Sequence, residues 1–386
     1  MKHADHRHPE ANLPSSIKVL FAAVFCVAAP AHAADGPRVL TVCNWPDYIA
    51  PDTLAGFEKA TGIKVRYEEF ETNEELNAKL SAGHSGYDVV VPSSNWAKRQ
   101  AAAGLLRPID PALVPNLVNL DPSLLSRLAK LDPGNRYMVP WLWGFNTLGI
   151  NVGKVKKALG SLPMPADEWD LLFKPEYVSK LKRCGVSIVD SATEVVPAAL
   201  HYLGRPAYSS EIEDYQGVAK LLAAIRPFVT SFSSADYVDD LAAGRLCLAL
   251  GFSGDINIAR RRAIEARNGQ RIQALVPSTG GILFVDAMVI PRDAEHVAEA
   301  HAFIDYILQP KVHAALTNAV FYANPNRASL PFVDPAIASD RTVFPSPEEL
   351  ARMAVPDTLS DDARRVMMRV YSRFKAGAKP EPAPAH

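Results

Sequence analysis

The sequence predicts an α/β protein of two lobes, and three observations lead to this prediction. Apolar strand-like runs alternate with helical patterns through the first third of the chain. A second series of strands and helices follows an aromatic segment at residues 137–146. The roughly 350 residues behind the N-terminal leader exceed what one hydrophobic core usually serves. Short connections between the alternating elements imply mainly parallel sheets flanked by helices.

The N-terminus has the pattern of a secretory signal peptide. Its apolar run, Ile17 to Pro30, is interrupted only by Lys18, and Ala31-His32-Ala33 supplies the small residues of a cleavage site. We expect a signal peptide over residues 1–33 and cleavage after Ala33. A buried helix or a membrane anchor is the alternative, but the run is too short to span a bilayer. Phe25 stands before Cys26, where a lipidated leader needs a small residue, so we expect a soluble product.

The first lobe begins with regular strand–helix repeats. Gly62 and Gly83 are placed to end the first two helices, and Asn73 is placed to cap the second. The predicted elements are strand Val39–Trp45, helix Ala50–Thr61, strand Ile63–Phe70, helix Asn73–Ala82, strand Tyr87–Val91 and helix Asn95–Ala103.

The second lobe begins after a strand that crosses between the lobes, at residues 140–151. The later predicted helices cover residues 175–181, 195–203, 211–225, 236–244, 296–308 and 310–317, and the later strands cover 186–189, 246–252 and 281–291. We predict lobe 1 at residues 37–143 and 283–325, and lobe 2 at 144–282 and 326–375. Residues 376–386 are a disordered tail by composition.

Charge and motifs exclude several classes of function. The leader carries three of the 41 Lys and Arg and two of the 42 Asp and Glu, which leaves a net charge of −2. This near-balance offers no bulk attraction for nucleic acid or an anionic membrane. The chain lacks G-x-S-x-G, H-E-x-x-H, P-loop and G-x-G-x-x-G motifs. Paired carboxylates could serve a secreted glycosidase, but no candidate acid has a second acid at short spacing.

Three cysteines remain after cleavage, and one pair can form a disulfide in an oxidising compartment. Cys184 and Cys247 each begin a short strand-like run, so neighbouring strands could bring them close together. Cys43 lies in the first strand, where we expect a buried free thiol. There is no C-x-x-C pair, so a structural zinc site has little support.

Acids with aromatic neighbours recur at three places in the sequence. Asp47 lies between Trp45 and Tyr48 at the end of the first strand, where an open α/β sheet binds ligands. The same pairing recurs at Phe252/Asp255 and at Phe284/Asp286. A carboxylate can receive an ammonium group while a ring covers the hydrocarbon beside it. Three such pairs predict a pocket for a small organic cation.

The chain resembles the periplasmic polyamine-binding proteins of ABC importers, especially the putrescine-binding type. The likeness covers nearly all of the mature chain and is carried by the segments 44–49 (NWPDYI), 87–93 (YDVVVPS), 251–255 (GFSGD) and 321–324 (FYAN). It implies a type II-like periplasmic binding protein with ligand in the interlobe cleft. It also implies a Cys184–Cys247 disulfide, no cofactor or metal, a monomer, and an inner-membrane permease as partner.

The resemblance further implies a set of ligand contacts, with acids at both ends of the ligand and rings along its middle. The set is Trp45, Pro46, Asp47, Tyr48, Ser93, Glu194, Phe252, Asp255, Phe284, Asp286 and Tyr322. Each has a plainer alternative. The acids and Ser93 could cap helices or complement helix dipoles, and the rings could be ordinary core. An unpaired carboxylate in an apolar strand, as at Asp286, would be costly unless a bound cation compensates it or it faces an internal Arg or Lys.

Two departures from the putrescine-binding pattern bear on the ligand. A serine is usual where Pro46 stands, and a tryptophan where Phe252 stands, so one polar contact and an indole donor are lost. We therefore expect putrescine first, with cadaverine, agmatine and spermidine left open. The sequence also leaves open a sensor that presents its ligand to a membrane receptor. A metal-binding protein of the same architecture would need ligands clustered without so many rings.

Overall fold

The computed structural model describes residues 38–378. The predicted signal peptide and the last eight residues of the predicted tail lie outside this range. The strands are β1 Val39–Asn44, β2 Lys64–Glu69, β3 Val89–Val90, β4 Leu106–Arg107, β5 Val139–Asn151, β6 Val186–Ile188, β7 Ser231–Phe232, β8 Leu248–Phe252, β9 Ile272–Ala274, β10 Ile282–Met288 and β11 Ile290–Pro291.

The helices lie between these strands in the chain and, from α12 onward, after the last of them. They are α1 Thr53–Thr61, α2 Asn73–Ala82, α3 Ser94–Ala102, α4 Pro122–Leu128, α5 Val152–Leu159, α6 Asp170–Phe173, α7 Pro175–Leu181, α8 Ala192–Tyr202, α9 Asp214–Ile225, α10 Tyr237–Ala242, α11 Ser253–Glu265, α12 Val297–Ile307, α13 Pro310–Val320, α14 Pro335–Ala338, α15 Pro347–Arg352 and α16 Asp361–Ala376. Helix α16 thus includes Ala376, the first residue of the predicted tail, and Gly377 ends it in the left-handed conformation. Within residues 38–378, no helix is both long and apolar enough to cross a membrane.

The α/β class is confirmed, with two main sheets. The first has the order β2–β1–β3, and all its strands are parallel. The second has the order β10–β5–β8–β6–β7, and β9 also pairs with β5. This second sheet is mixed rather than mainly parallel. Its strands β6, β7 and β8 run parallel, but β5 runs antiparallel to β8, β9 and β10.

Strands β5 and β10 link the two sheets. They pair with each other over most of the length of β10, and β5 is buried along nearly all of its 13 residues. Just beyond β10, Val289 exchanges two backbone hydrogen bonds with Val90 of the first sheet, at 2.9 and 3.0 Å. The chain therefore enters and leaves the second sheet through two long antiparallel strands, which explains why that sheet is mixed.

Three local predictions concern a helix cap and the cysteines. Thr72, not Asn73, caps α2, because its backbone is extended and its hydroxyl accepts from the backbone N–H of Glu75 at 3.1 Å. The Cys184–Cys247 disulfide is confirmed, with Cα atoms 5.4 Å apart. These cysteines lie just before the paired strands β6 and β8. Cys43 is a free, buried thiol, and burial raises its pKa to about 11.

Candidate functional site

The site begins with Asp286, a carboxylate on strand β10 that is only 5% exposed. The hydroxyl of Ser93 donates to its Oδ1 at 2.8 Å, and the hydroxyl of Tyr48 donates to its Oδ2 at 3.0 Å. Tyr48 follows β1 and Ser93 follows β3, so both come from the carboxyl edge of the first sheet, where ligands of open α/β sheets bind. Burial raises the pKa of Asp286 to about 7, although both hydroxyls lower it.

Asn73 holds Ser93 in place from the start of α2. Its side-chain oxygen accepts from the backbone N–H of Ser93 at 3.1 Å, and its amide nitrogen donates to the Ser93 hydroxyl oxygen at 3.2 Å. The side chain of Asn73 therefore positions Ser93, while Thr72 caps α2. This role was missed in the sequence, where Asn73 had only the signature of a helix cap.

Asp255 is the second acid, a half-buried residue in the first turn of α11. The hydroxyl of Tyr237 donates to its Oδ2 at 2.6 Å, and that of Tyr322 donates to its Oδ1 at 2.5 Å. Burial raises the pKa of Asp255, while the two tyrosine hydrogen bonds lower it. Both oxygens are thus held by hydroxyl groups, and a carboxylate still has lone pairs for an incoming cation.

Glu194 is the third acid, in the first turn of α8. The side-chain amide of Asn146 on β5 donates to its carboxylate at 3.4 Å and to its backbone carbonyl at 3.2 Å. The pKa of Glu194 is raised to about 8, first by burial and then by the negative charge of Asp286. Glu194 is half-buried, and the charge of Asp286 favours its protonation, so a cation near these two acids would stabilise their ionised forms.

Four aromatic rings link the surroundings of Asp286 to those of Asp255. Their centroids are separated by 5.1 Å between Tyr48 and Tyr322, 5.7 Å between Tyr322 and Phe284, and 5.4 Å between Phe284 and Phe252, all edge to face. Glycine provides the space for Tyr322, because a Cβ on Gly254 would lie 2.3 Å from its ring.

The segment at residues 45–47 is arranged differently from these three acids. Asp47 is exposed, and its carboxylate accepts from Arg262 of α11 at 2.9 Å. The same guanidinium contacts Asp239 at 3.0 Å. Trp45 donates from its indole nitrogen to the backbone carbonyl of Val91 at 2.9 Å, and Pro46 is exposed. The structure therefore brings eight predicted residues together, the three acids and five residues around them, and it places Trp45, Pro46 and Asp47 at the edge.

The functional neighbours that sequence reasoning missed are Asn73, Asn146, Tyr237, Arg262 and Asp239. Each acts through a contact between distant parts of the chain, so no local motif reveals it. Gly251 was the one available signal for Tyr237, since a Cβ there would lie 2.4 Å from the Tyr237 ring. Within residues 38–378, no group of three or more His, Cys, Asp and Glu side chains could hold a metal ion.

Comparison with known proteins places this geometry in a family context. The model of the family described as bacterial extracellular solute-binding protein matches residues 53–345. The chain is 44% identical over 351 residues to the putrescine-binding periplasmic protein SpuD of Pseudomonas aeruginosa, covering 91% of this chain and 95% of SpuD. It is 41% identical over 356 residues to the putrescine-binding periplasmic protein PotF of Escherichia coli, covering 92% and 96%.

A solved structure gives the same picture for the fold. A protein of Listeria monocytogenes described as a spermidine/putrescine ABC transporter aligns with a TM-score of 0.77 at 29% identity. The alignment covers 88% of this chain and 99% of that protein. The two-lobed fold predicted from the sequence is therefore confirmed.

Proposed function

Because the chain belongs to the family of bacterial extracellular solute-binding proteins, we propose that it captures putrescine and delivers it to an inner-membrane ABC permease. The observation that carries this proposal is a set of three acids, the buried Asp286 and the half-buried Glu194 and Asp255, joined by edge-to-face aromatic rings. Relatives at 44% and 41% identity are described as putrescine-binding, which supports the same ligand for this chain.

The chemistry of putrescine suits this arrangement. Each of its ends is an ammonium with three donors and no acceptor, so carboxylates are suitable partners. A charge-assisted hydrogen bond contributes about 1.5–3 kcal/mol net. Two such bonds at each end amount to about 6–12 kcal/mol, a range that includes the roughly 8 kcal/mol of micromolar binding. The costs of ordering and desolvation reduce this sum. The rings cover the methylenes and add cation–π attraction near the ends.

We assign Asp255 to one ammonium and the neighbouring pair Glu194 and Asp286 to the other. The spacing of the rings supports this assignment, since Tyr48 contacts Asp286 and Tyr322 contacts Asp255, and these two rings touch each other. We assign Trp45, Pro46 and Asp47 to the rim of the ligand site. Asp47 is paired with Arg262 there.

Capture proceeds by closure of a hinge between lobe 1, residues 37–143 and 283–325, and lobe 2, residues 144–282 and 326–375. Strands β5 and β10 are the crossing strands. Under this division, Asp47 and Arg262 belong to different lobes, and their ion pair joins the two rims. Small-angle scattering tests closure. The radius of gyration should fall when putrescine is added to stripped protein, and an unchanged value would reject the hinge.

The place of action is the periplasm, reached through a signal peptide cleaved after Ala33. The relatives described as periplasmic support this location, and the apolar run with its small-residue cleavage pattern supports the leader. N-terminal sequencing of the protein recovered from a periplasmic extract should begin at Ala34. An intact N-terminus on protein recovered from the cytoplasm would refute secretion.

The ligands of the relatives indicate which amines to compare for affinity. Other relatives are described as putrescine/agmatine-binding, at 41% identity, and as putrescine/cadaverine-binding, at 32%. A thermal-shift series with putrescine, cadaverine, agmatine and spermidine ranks these amines directly. We expect the largest rise in melting temperature with putrescine. A larger rise with spermidine would reassign the ligand and keep the function as a polyamine receptor.

A further inference from the structure

We propose that Tyr237 is a positioning residue of the diamine site, which acts by holding Asp255 and Phe252 in one fixed arrangement. This inference rests on the proposed function, because it gives Tyr237 a part in binding the same ligand. Tyr237 belongs to none of the acid–aromatic pairs found in the sequence. It lies on α10, and no other side chain of this helix is hydrogen-bonded to Glu194, Asp255 or Asp286 among the described contacts.

The hydroxyl of Tyr237 makes two hydrogen bonds with different roles. It donates to Oδ2 of Asp255 at 2.6 Å, and it accepts from the backbone N–H of Phe252 at 3.1 Å. One oxygen atom therefore connects the end of β8 to the first turn of α11. The carboxylate that would receive an ammonium and the backbone that carries the Phe252 ring are therefore fixed relative to each other.

The packing of Tyr237 leaves this hydroxyl little freedom. The side chain is fully buried, and its ring lies against Gly251 on β8. A Cβ at residue 251 would lie 2.4 Å from Cε2 and 2.5 Å from the hydroxyl oxygen, so the observed ring position requires glycine there. A residue held by this close approach can orient a carboxylate more strictly than a mobile side chain or a water molecule.

Tyr322 and Tyr237 each donate to a different oxygen of the Asp255 carboxylate. Tyr322 donates to Oδ1 and accepts from the backbone N–H of Asp255 at 3.1 Å, so it bonds only within that residue. Tyr237 holds Oδ2 and is the one that reaches Phe252. With both oxygens held, the plane of the carboxylate is set, and its remaining lone pairs can accept from an ammonium.

The charged groups around Asp255 predict a pH signature. The hydroxyls of Tyr237 and Tyr322 and the charge of Arg262 lower the pKa of Asp255, whereas burial and the charge of Asp47 raise it. Removal of the Tyr237 hydroxyl removes one of the hydrogen bonds that lower the pKa of Asp255. The pKa-raising effect of burial is then less compensated, so this pKa rises further. Because an ammonium needs the ionised carboxylate, affinity should then decline at a higher pH during acidification.

The test compares Tyr237→Phe with Tyr215→Phe by calorimetric titration with putrescine from pH 5 to pH 9. Tyr215 is a matched control, since it is also buried and its hydroxyl donates to the backbone carbonyl of Ser209 at 2.8 Å, within lobe 2. We expect Tyr237→Phe to weaken putrescine binding about tenfold at pH 8 and to move the acid decline upward. Tyr215→Phe should change neither quantity.

A second variant keeps the hydroxyl group and displaces it. Gly251→Ala should push the ring of Tyr237 away and weaken binding in the same direction, with circular dichroism confirming the fold. Wild-type affinity and an unshifted pH profile in Tyr237→Phe would overturn the inference, as would equal losses in Tyr237→Phe and Tyr215→Phe. Failure of the wild-type protein to bind putrescine would instead refute the proposed function, so the two failures are distinguishable.

Discussion

The hydroxyl of Tyr48 donates to the carboxylate of Asp286 at 3.0 Å, although the two residues are 238 positions apart in the sequence. This bond joins the loop after the first strand to the strand that returns from the second sheet. Tyr48 also contacts Tyr322, which in turn holds Asp255. The two acids assigned to opposite ends of the ligand are therefore connected through two tyrosines in contact.

Replacement of Asp286 tests the first of these acids. Asp286→Asn removes a buried negative charge that we assign to an ammonium, so putrescine affinity should fall by about 2 kcal/mol or more, roughly 30-fold. Calorimetric titration measures the change. Asp52→Asn, at an exposed position before α1, is the control and should bind like the wild type. Unchanged affinity in Asp286→Asn would remove this residue from the ligand contacts.

Putrescine binding should depend on pH between pH 6 and pH 9. Without ligand, the pKa of Glu194 is about 8 and that of Asp286 is about 7, both raised chiefly by burial. An amine with a pKa near that of lysine, about 10.4, stays charged in this range, so binding needs the two acids ionised. Affinity should be full above pH 8 and should fall as the pH drops through 8 and then 7.

The same shifts predict that binding releases protons at pH 7. Titration in two buffers with different ionisation enthalpies should give different apparent heats, and Glu194→Gln should reduce the difference. Equal heats in both buffers, together with a flat affinity from pH 6 to pH 9, would contradict the assignment of these acids to the ligand.

Much of the fold could be predicted from the sequence because its signals are local. The strand at residues 140–151 and the helix at 175–181 follow from apolar periodicity and turn residues, and the structure has them as Val139–Asn151 and Pro175–Leu181. The mixed direction of the second sheet could not be predicted in this way. It depends on how β5 and β10 pair across the molecule, and periodicity does not specify strand direction.

The residues of the candidate site likewise differ in whether a local sequence signal reveals them. Asp255 and Asp286 stand out because an acid beside aromatic residues is visible in the sequence, whereas Glu194 follows only from the family resemblance. The exposed pairing of Asp47 with Arg262 is not visible in the sequence, since these residues are 215 positions apart. Tyr237 was missed because its partner Asp255 lies on a different helix, 18 positions along the chain, and no local motif joins the two.

The ion pair between Asp47 and Arg262 should stabilise the closed form slightly. Both side chains are partly exposed, at 71% and 34%, so the pair is worth about 0–1 kcal/mol. Arg262→Met should speed putrescine dissociation a few-fold at low salt, as measured by stopped-flow fluorescence. The difference should shrink at high salt because exposed charges are screened. Arg245→Met, which breaks the pair with Asp240 five positions away in the sequence, should leave dissociation unchanged. A dissociation rate equal to that of the wild type at low salt would exclude this role for the pair.

The disulfide should stabilise the fold rather than the site. It joins Cys184 to Cys247 across 63 residues, and closing such a loop in the unfolded chain is worth about 4 kcal/mol in the chain-entropy description. Cys184→Ser combined with Cys247→Ser should lower the free energy of unfolding by about 2–4 kcal/mol in urea, while putrescine affinity stays near that of the wild type. Cys43→Ala should keep the sensitivity of stability to reductant. A large loss of affinity in the double variant would place the disulfide in the binding function.

The central claim is that acids at both ends of the site hold the two ammonium groups of one diamine. Calorimetric titration of stripped, mature protein with putrescine and with n-butylamine tests it most directly, because the two amines differ by one ammonium group. We predict micromolar or tighter binding of putrescine at one site per chain, and n-butylamine weaker by at least about a hundredfold. Equal affinities for the two amines, or no heat with putrescine, would contradict the claim.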